Sequence, residues 1–232
     1  MIEEQVKRQK LEIDHQNRMM QATLESQESE RRRLASELHD SIGGMLSTIR
    51  MGVSTLGRLL PGEDSIDQTK QMLDDTISSV RKISRDLMPS TLEKFGLSQA
   101  LRDLCDRIQS TAMLHVEFFE RNEISPLDKN KELMLFRIVQ ELLNNALKHS
   151  QASKINLSIQ QEESGLSICV EDNGIGFSIE EQRADKTSGK GLGLYSIENR
   201  AGLLGAVVDF KSAEPKGSKI TLMLPSDHET KL

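Results

Sequence analysis

Two long apolar stripes at helical spacing constrain the fold of this chain more than any other feature. The first covers Leu34–Leu60, with apolar residues three or four positions apart, and Pro61-Gly62 ends it. The second covers Asp64–Met88 and stops before Pro89. The two stripes predict a helical hairpin. Because two helices cannot bury both stripes against each other, we expect a homodimer in which two hairpins form an antiparallel four-helix bundle.

The segment before the hairpin, residues 1–27, carries apolar residues at sevenfold spacing. Val6, Ile13 and Met20 form one seam among mainly charged and amide residues. This spacing indicates a parallel coiled coil, and the glutamines at or near the seam would make it a weak one. A solvated single helix is the alternative.

Beyond Pro89 the apolar period changes from helical to mixed. Residues 97–111 and 127–149 have helical spacing. Five segments alternate as strands do: His115–Glu120, Lys154–Gln160, Gly165–Glu171, Ala206–Lys211 and Lys219–Leu224. The order of these segments predicts an α+β fold, in which helices cover one face of a mixed sheet as an α/β sandwich.

Charge and hydropathy exclude several classes of protein. Asp and Glu number 36 against 30 Lys and Arg, a net charge of −6 that argues against nucleic acid as a partner. No apolar run reaches the roughly 18 to 20 residues of a membrane span, so we expect a cytoplasmic chain with its two cysteines reduced. The chain begins inside a charged helical pattern, which raises the hypothesis that further segments precede it.

The first polar motif lies late in the helix predicted for residues 127–149. Glu141 and Asn145 are four residues apart and therefore project from one face, with Lys148 one turn further on. A carboxylate and an amide oxygen suit Mg²⁺, which takes its remaining ligands from water and substrate phosphates, and Lys148 could meet a phosphate. A polar helix face without a metal is the alternative.

The second motif follows a predicted strand directly. Asp172 is followed by Gly174 and Gly176. Asp-Asn-Gly is strong turn chemistry, so the motif could be a tight turn alone. In a binding site, Asp172 would accept a hydrogen bond from an exocyclic amine, and the glycines would let the backbone approach a flat ligand.

The third motif is a glycine-rich loop that opens a predicted helix. Gly189, Gly191 and Gly193 precede the apolar residues of that helix. Exposed N–H groups at a helix N-terminus favour phosphate. The loop matches neither the P-loop nor the Rossmann pattern and is a weak signal alone.

In this order, and closed by Gly217-Ser218, the motifs resemble the Bergerat-fold ATPases, which include DNA gyrase, a class of heat-shock chaperones, mismatch-repair ATPases and histidine kinases. The resemblance implies that Glu141 and Asn145 lie near Mg²⁺ and that Asp172 and Ser218 lie near the adenine of ATP. It also implies that the glycines from Gly189 to Gly193 meet the phosphates and that Ser178–Ser188 forms a mobile lid.

A histidine in the first stripe distinguishes among these relatives. His39 directly follows Leu38 and is turned about 100° from the apolar seam, toward water. Gly43 and Gly44 follow inside the helix, where each costs about 1 kcal/mol relative to Ala, which suggests space cleared for a docking protein or for the ATP domain. A neutral imidazole is a competent nucleophile, and Asp40 could act as the base for its second ring proton.

The segment from Glu30 to Asp40 resembles the phosphoacceptor box of the histidine-kinase subfamily typified by nitrate and membrane-fluidity sensors, and Leu87–Leu101 resembles its junction between hairpin and ATPase. The resemblance implies three domains: a coiled-coil signalling helix (1–27), a dimerisation and histidine phosphotransfer domain (28–90), and a catalytic ATP-binding domain (91–232). It implies autophosphorylation of His39, with Asp40 and Glu141 as catalytic residues, and transfer to an Asp of a response regulator. An upstream sensor or membrane segment outside the chain is a further hypothesis.

One residue departs from this subfamily. Five residues after the phosphoacceptor the subfamily commonly has Gln, which positions water to dephosphorylate the response regulator, and this chain has Gly44. We therefore expect weak phosphatase activity and unaffected kinase activity. The alternative function is a degenerate, ATP-binding dimeric scaffold, and a chaperone-like or topoisomerase-like ATPase is disfavoured because their additional domains are missing.

Overall fold

A computed structural model of the chain describes residues 2–60, 64–111, 114–179, 192–213 and 215–226. The chain divides into two compact units, Met1–Ser90 and Thr91–Leu232. Among the described residues, no helix is both long enough and apolar enough to cross a membrane.

The first unit is a helical hairpin. Helix α1 covers Ile2–Glu37, a π-helical turn covers Leu38–Ile42, and α2 covers Gly43–Leu59. The flanking residues Glu37 and Gly43 both keep right-handed helical dihedrals, so the three pieces form one continuous helix. Helix α3, Asp64–Leu87, packs on all three of them. Pro61-Gly62, the predicted end of the first helix, lies outside the described residues.

Few side chains of the hairpin are buried within one protomer. Ala35 and Ile77 are buried in the hairpin, and the Arg50 guanidinium pairs with the Asp74 carboxylate between α2 and α3. The predicted stripe on α2 remains exposed: Ile49, for example, keeps 52% of its surface. The hairpin therefore has an apolar face that its own two helices do not cover.

Three α-helices and five strands are described in the second unit. Its helices are α4 (Ser90–Thr111), α5 (Lys129–Asn145) and α6 (Leu192–Leu203), and a second π-helical turn, Ala146–Ser150, extends α5. Its strands are β1 (His115–Arg121), β2 (Lys154–Glu162), β3 (Gly165–Asp172), β4 (Val207–Ser212) and β5 (Ser218–Pro225).

The strands form one mixed sheet in the order β1-β2-β3-β5-β4. Strands β1 and β2 are parallel, and the remaining pairs are antiparallel. Alternate residues of β2, Ile155, Leu157 and Ile159, are fully buried in a core shared with α4, α5 and α6. This period-two burial explains why the strands were recognisable in the sequence, and the predicted α+β class is confirmed.

Helix α4 begins earlier than the sequence predicted. We expected a helix from residue 97, and the helical segment begins at Ser90 with a break at Gly96. Gly96 has φ +78° and ψ −177°, a conformation that favours glycine, and so separates a short helical turn from the longer helix after it. Helix α5 begins as its cap dictates, because the Asp128 carboxylate accepts the backbone N–H groups of Asn130 and Lys131.

Candidate functional site

A cavity of about 660 Å³ lies in the second unit, between the end of α5, the start of α6 and the ends of β3 and β5. Predicted site residues from all three sequence motifs, together with the predicted Ser218, line it. They are Glu141, Asn145, Lys148, Asp172, Gly176, Gly193 and Ser218. The fold thus brings together residues that are far apart in the sequence.

Asp172 is buried at the wall of this cavity, and only 6% of its surface is exposed. Its Oδ1 accepts the backbone N–H of Gly174 at 2.8 Å, and its Oδ2 accepts the hydroxyl of Ser218. Strand register places Ser218 directly opposite Asp172 on β5. Because a carboxylate has about four lone-pair positions, Asp172 can accept a further donor from a ligand in the cavity.

The turn after Asp172 is tied to the second π-helical turn and to the start of β2. The backbone N–H of Ile175 donates to the carbonyl oxygen of Ser150 at 2.8 Å. The Asn173 side-chain oxygen accepts the N–H groups of Ser153 at 3.0 Å and Lys154 at 2.9 Å. These bonds fix the two sides of the cavity relative to each other.

Two of the predicted glycines in this region are required by close packing. At Gly174 a Cβ atom would collide with the carbonyl oxygen of Ser150. Gly176 has φ +71°, and its Cβ atom would lie 2.6 Å from the carbonyl oxygen of Ala213. The turn interpretation and the binding interpretation are therefore compatible, because the tight turn itself forms part of the cavity wall.

The side chains of Glu141 and Asn145 converge on the first turn of α6. A Cβ atom at Gly193 would lie 3.1 Å from Oε1 of Glu141 and 3.2 Å from Nδ2 of Asn145. Lys148 is exposed at the rim of the cavity. Within the described ranges, no group of three or more His, Cys, Asp or Glu residues could hold a metal ion. Glu141 and Asn145 present a carboxylate and an amide group to the cavity.

The third motif is described only in part. Gly189, Gly191 and residues 180–188 of the predicted lid lie outside the described residues. Gly193 is the member of the glycine-rich motif that the structure describes, and it lies in the first turn of α6. This position agrees with the prediction that the motif opens a helix.

His39 and Asp40 lie in the π-helical turn of the first unit, and their side chains are 73% and 71% exposed. Nδ1 of His39 is 3.0 Å from Oδ1 of Asp40, and Oδ2 of Asp40 accepts the hydroxyl of Ser36 at 2.9 Å. The hydrogen bond with His39, followed by that with Ser36, lowers the pKa of Asp40. A carboxylate on Nδ1 favours the tautomer whose free lone pair is on Nε2.

Within the described part of the chain, close packing does not require glycine at the two positions that follow His39 in the helix. A Cβ atom at Gly44 would meet nothing within 4 Å, and one at Gly43 would only touch the carbonyl oxygen of Leu38 at 3.5 Å. Intramolecular crowding therefore does not account for these two residues, and the expectation of space cleared for another partner remains a prediction.

Some residues of the site had no role predicted from the sequence. Ser150 and Asn173 hold the cavity wall through hydrogen bonds, and His149 and Phe177 line the cavity. Asn173 had a signal, because an Asn within Asp-Asn-Gly commonly bonds to nearby backbone. Ser150 had no such signal in the sequence, because the hydrogen bond between its carbonyl oxygen and Ile175 depends on the π-helical turn.

Two protein families match this chain, one over each structural unit. Residues 30–92 match a family described as histidine kinase. Residues 130–228 match a family described as histidine kinase-, DNA gyrase B-, and HSP90-like ATPase. The oxygen sensor histidine kinase NreB of Staphylococcus carnosus is 33% identical over 220 residues, which cover 94% of this chain and 62% of that protein. The chain thus spans about three-fifths of the length of this relative.

Solved structures of similar proteins include a histidine kinase domain and an ATP-binding domain. The histidine kinase domain of a blue-light activated histidine kinase from Erythrobacter litoralis is 16% identical with a TM-score of 0.47, covering 86% of this chain and 94% of that one. The ATP-binding domain of PrrB from Mycobacterium tuberculosis is 26% identical with a TM-score of 0.40, covering 54% of this chain and 93% of that one.

Proposed function

This chain belongs to the sensor histidine kinases, and from that membership we propose that it transfers the γ-phosphoryl group of ATP to His39 and then to an Asp of a response regulator. The observation that carries the proposal is the exposed His39 ring, whose Nδ1 is hydrogen-bonded to Asp40 and whose Nε2 is left to act as a nucleophile.

The proposed step forms one bond and breaks one bond. The Nε2 lone pair of neutral His39 attacks the γ-phosphorus, the bond from that phosphorus to the β–γ bridging oxygen breaks, and ADP leaves. The positive charge that develops on the ring is stabilised by the Asp40 carboxylate, which holds or takes the Nδ1 proton as the phosphoramidate forms. The lowered pKa of Asp40 keeps this carboxylate ionised at neutral pH.

We assign ATP to the 660 Å³ cavity of the second unit. Asp172, held by Ser218 and Gly174, would accept the exocyclic amine of adenine, and Lys148 at the rim would meet a phosphate. Glu141 and Asn145 would hold Mg²⁺ together with phosphate oxygens and water. The metal would neutralise charge on the transferring phosphoryl group.

A homodimer would cover the exposed apolar face of the hairpin. Met45, Ile49 and Leu56 lie on α2 at spacings of four and seven and are each more than half exposed in one protomer. Complete burial of an exposed side chain of this size stabilises by about 1.5–3 kcal/mol, and about half of that remains available at each of these positions, so a second hairpin packed on this face would be favoured. Residues 28–90 would then form the dimerisation and phosphotransfer domain, residues 91–232 the catalytic domain, and residues 1–27 a coiled-coil signalling helix.

We propose that phosphatase activity toward the response regulator is weak. The position that the related kinases commonly fill with Gln is Gly44, which has no side chain to orient a water molecule. Neither the attack by His39 nor the proposed binding of ATP uses a side chain at this position, so kinase activity would not require one.

The function is tested by phosphate incorporation from γ-labelled Mg-ATP. We expect the wild-type chain to acquire a label that is labile to acid and stable to alkali, as phosphohistidine is. His39→Gln should acquire none, and His15→Gln, a change at an exposed histidine of the same continuous helix, should be labelled as wild type. Absence of label in a wild-type chain that binds ATP would contradict the kinase and favour an ATP-binding scaffold.

A further inference from the structure

The hydroxyl group of Ser84 makes a hydrogen bond between two helices of the hairpin. The Oγ of Ser84 on α3 donates to the backbone carbonyl oxygen of Ala35 on α1 at 3.0 Å. Both residues are buried, and Ser84 is the one buried polar side chain among the described residues of the first unit. A hydrogen-bonded polar side chain thus lies at a position where an apolar residue would ordinarily pack.

Other hydroxyl groups of the hairpin behave differently. Ser79, Thr76 and Thr55 each donate to the carbonyl four residues earlier in their own helix, the usual local bond of a helical Ser or Thr. Ser84 instead bonds to a neighbouring helix, so its contact fixes one helix against another rather than satisfying a local group.

The carbonyl that Ser84 binds lies one turn before His39. In a regular α-helix the Ala35 carbonyl accepts the N–H of His39, four residues on, and its second lone pair is available to a side chain. The helix then widens: the N–H of Gly43 donates to the carbonyl of Leu38, five residues earlier. Single π-helical turns of this kind are frequent at functional sites.

We propose that Ser84 is a positioning residue for His39. Its hydroxyl holds the turn that precedes the π-helical turn and thereby fixes the rotation and height of the His39 ring on the hairpin. The inference rests on the proposed function, because it takes His39 as the phosphoacceptor. Ser84 does not touch the reacting atoms and acts only through the Ala35 backbone.

Removal of the hydroxyl in Ser84→Ala tests the inference in the full chain. We expect the rate of His39 phosphorylation at saturating Mg-ATP to fall by about two- to tenfold, the effect of one net hydrogen bond, while the KM for ATP stays unchanged. Ser84→Thr, which keeps the hydroxyl, should retain at least about half of the wild-type rate. Ser79→Ala, on the exposed side of the same helix, should match wild type.

Two further readouts separate positioning from loss of fold. Helicity by circular dichroism and the dimer fraction by light scattering should be unchanged in Ser84→Ala. Chemical phosphorylation of His39 by phosphoramidate, which needs no ATP domain, should also proceed at the wild-type rate.

The outcomes that overturn the inference differ from those that overturn the function. A wild-type chain without label on His39 contradicts both. A labelled wild type with an equal rate in Ser84→Ala contradicts the positioning role alone. An equal loss in Ser84→Ala and Ser84→Thr also contradicts it, because the hydroxyl would then not be the cause.

Discussion

The hydroxyl of Ser218 donates a hydrogen bond to Oδ2 of Asp172, and both residues are buried at the wall of the cavity. They lie on adjacent antiparallel strands as direct partners in the register. With Gly174 bonded to Oδ1, each oxygen of the carboxylate has one fixed donor. The carboxylate is therefore held in one orientation before any ligand arrives.

Ser218→Ala should weaken ATP binding by about tenfold. The change leaves Oδ2 of a buried carboxylate without its donor, and a hydrogen bond to a charged group contributes about 1.5–3 kcal/mol. Isothermal titration calorimetry with ATP measures the change, and Ser218→Thr, which restores the hydroxyl, is the control. Wild-type affinity in Ser218→Ala would show that this bond does not prepare the site for ATP.

Asp40→Asn should lower the autophosphorylation rate by at least about tenfold, because the amide cannot hold or take the ring proton as a carboxylate does. Hydrogen bonds with His39 and Ser36 lower the pKa of Asp40. The ionised form therefore persists below the usual aspartate value of about 3.9 and is lost only as the pH falls through the lowered pKa.

The pH dependence distinguishes this role from a titrating base. Between about pH 5 and 9 the wild-type carboxylate stays ionised, so the rate profiles of wild type and Asp40→Asn should have the same shape and differ only in height. Initial rates of label incorporation across this range provide the measurement. A limb of the profile that disappears in Asp40→Asn would contradict the assignment.

Gly193→Ala should impair use of Mg-ATP more than it affects folding. The new Cβ atom would lie 3.1 Å from Oε1 of Glu141 and 3.2 Å from Nδ2 of Asn145, so the two proposed metal ligands would have to move. A misplacement of about 1 Å can cost about 100-fold in rate, so the smaller shift required here should cost less than that. The rate of His39 phosphorylation at saturating Mg-ATP is the measurement.

Helix α6 provides a matched control for that change. A Cβ atom at Gly202, in the same helix, would meet nothing within 4 Å. Gly202→Ala should therefore leave the rate unchanged and raise the free energy of unfolding by up to about 1 kcal/mol, since Ala favours helix. Equal rates in the two variants would mean that the approach of Gly193 to Glu141 is unimportant.

The helices and strands could be predicted because the apolar spacing that marks them is local in the sequence. The side-chain contacts between them could not be predicted in this way. Strand β2 alternates Ile155, Leu157 and Ile159 with polar residues, a pattern that the sequence displays directly. The Ser84 bond to Ala35 joins residues 49 positions apart. The sequence places Ser84 seven residues after Ile77 in the apolar stripe, but it does not show which group its hydroxyl meets.

The candidate site likewise contains residues that the sequence revealed and residues that it did not. Asp172 and Gly174 formed a recognisable motif, because turn chemistry restricts which residues can stand there. Ser150 was not recognised, since its carbonyl meets Ile175 only after α5 continues into a π-helical turn. The π-helical turn at His39 was also not predicted, because hydrogen bonds between residues five apart leave no signal in the amino-acid composition.

Gly44→Gln should increase dephosphorylation of the phosphorylated response regulator by at least about tenfold, while the rate of His39 phosphorylation stays within about twofold of wild type. The side chain begins in open space, because among the described residues a Cβ atom at Gly44 would meet nothing within 4 Å apart from its own helix backbone. Its amide would lie in the turn after His39 and could orient a water molecule toward the phosphoaspartate. Gly52→Gln, at another unobstructed glycine of α2, controls for the loss of a helical glycine and should leave dephosphorylation at the wild-type rate. Equal acceleration of dephosphorylation in both variants would point to a general effect on the helix. No acceleration in either variant would mean that the absence of Gln does not explain weak phosphatase activity.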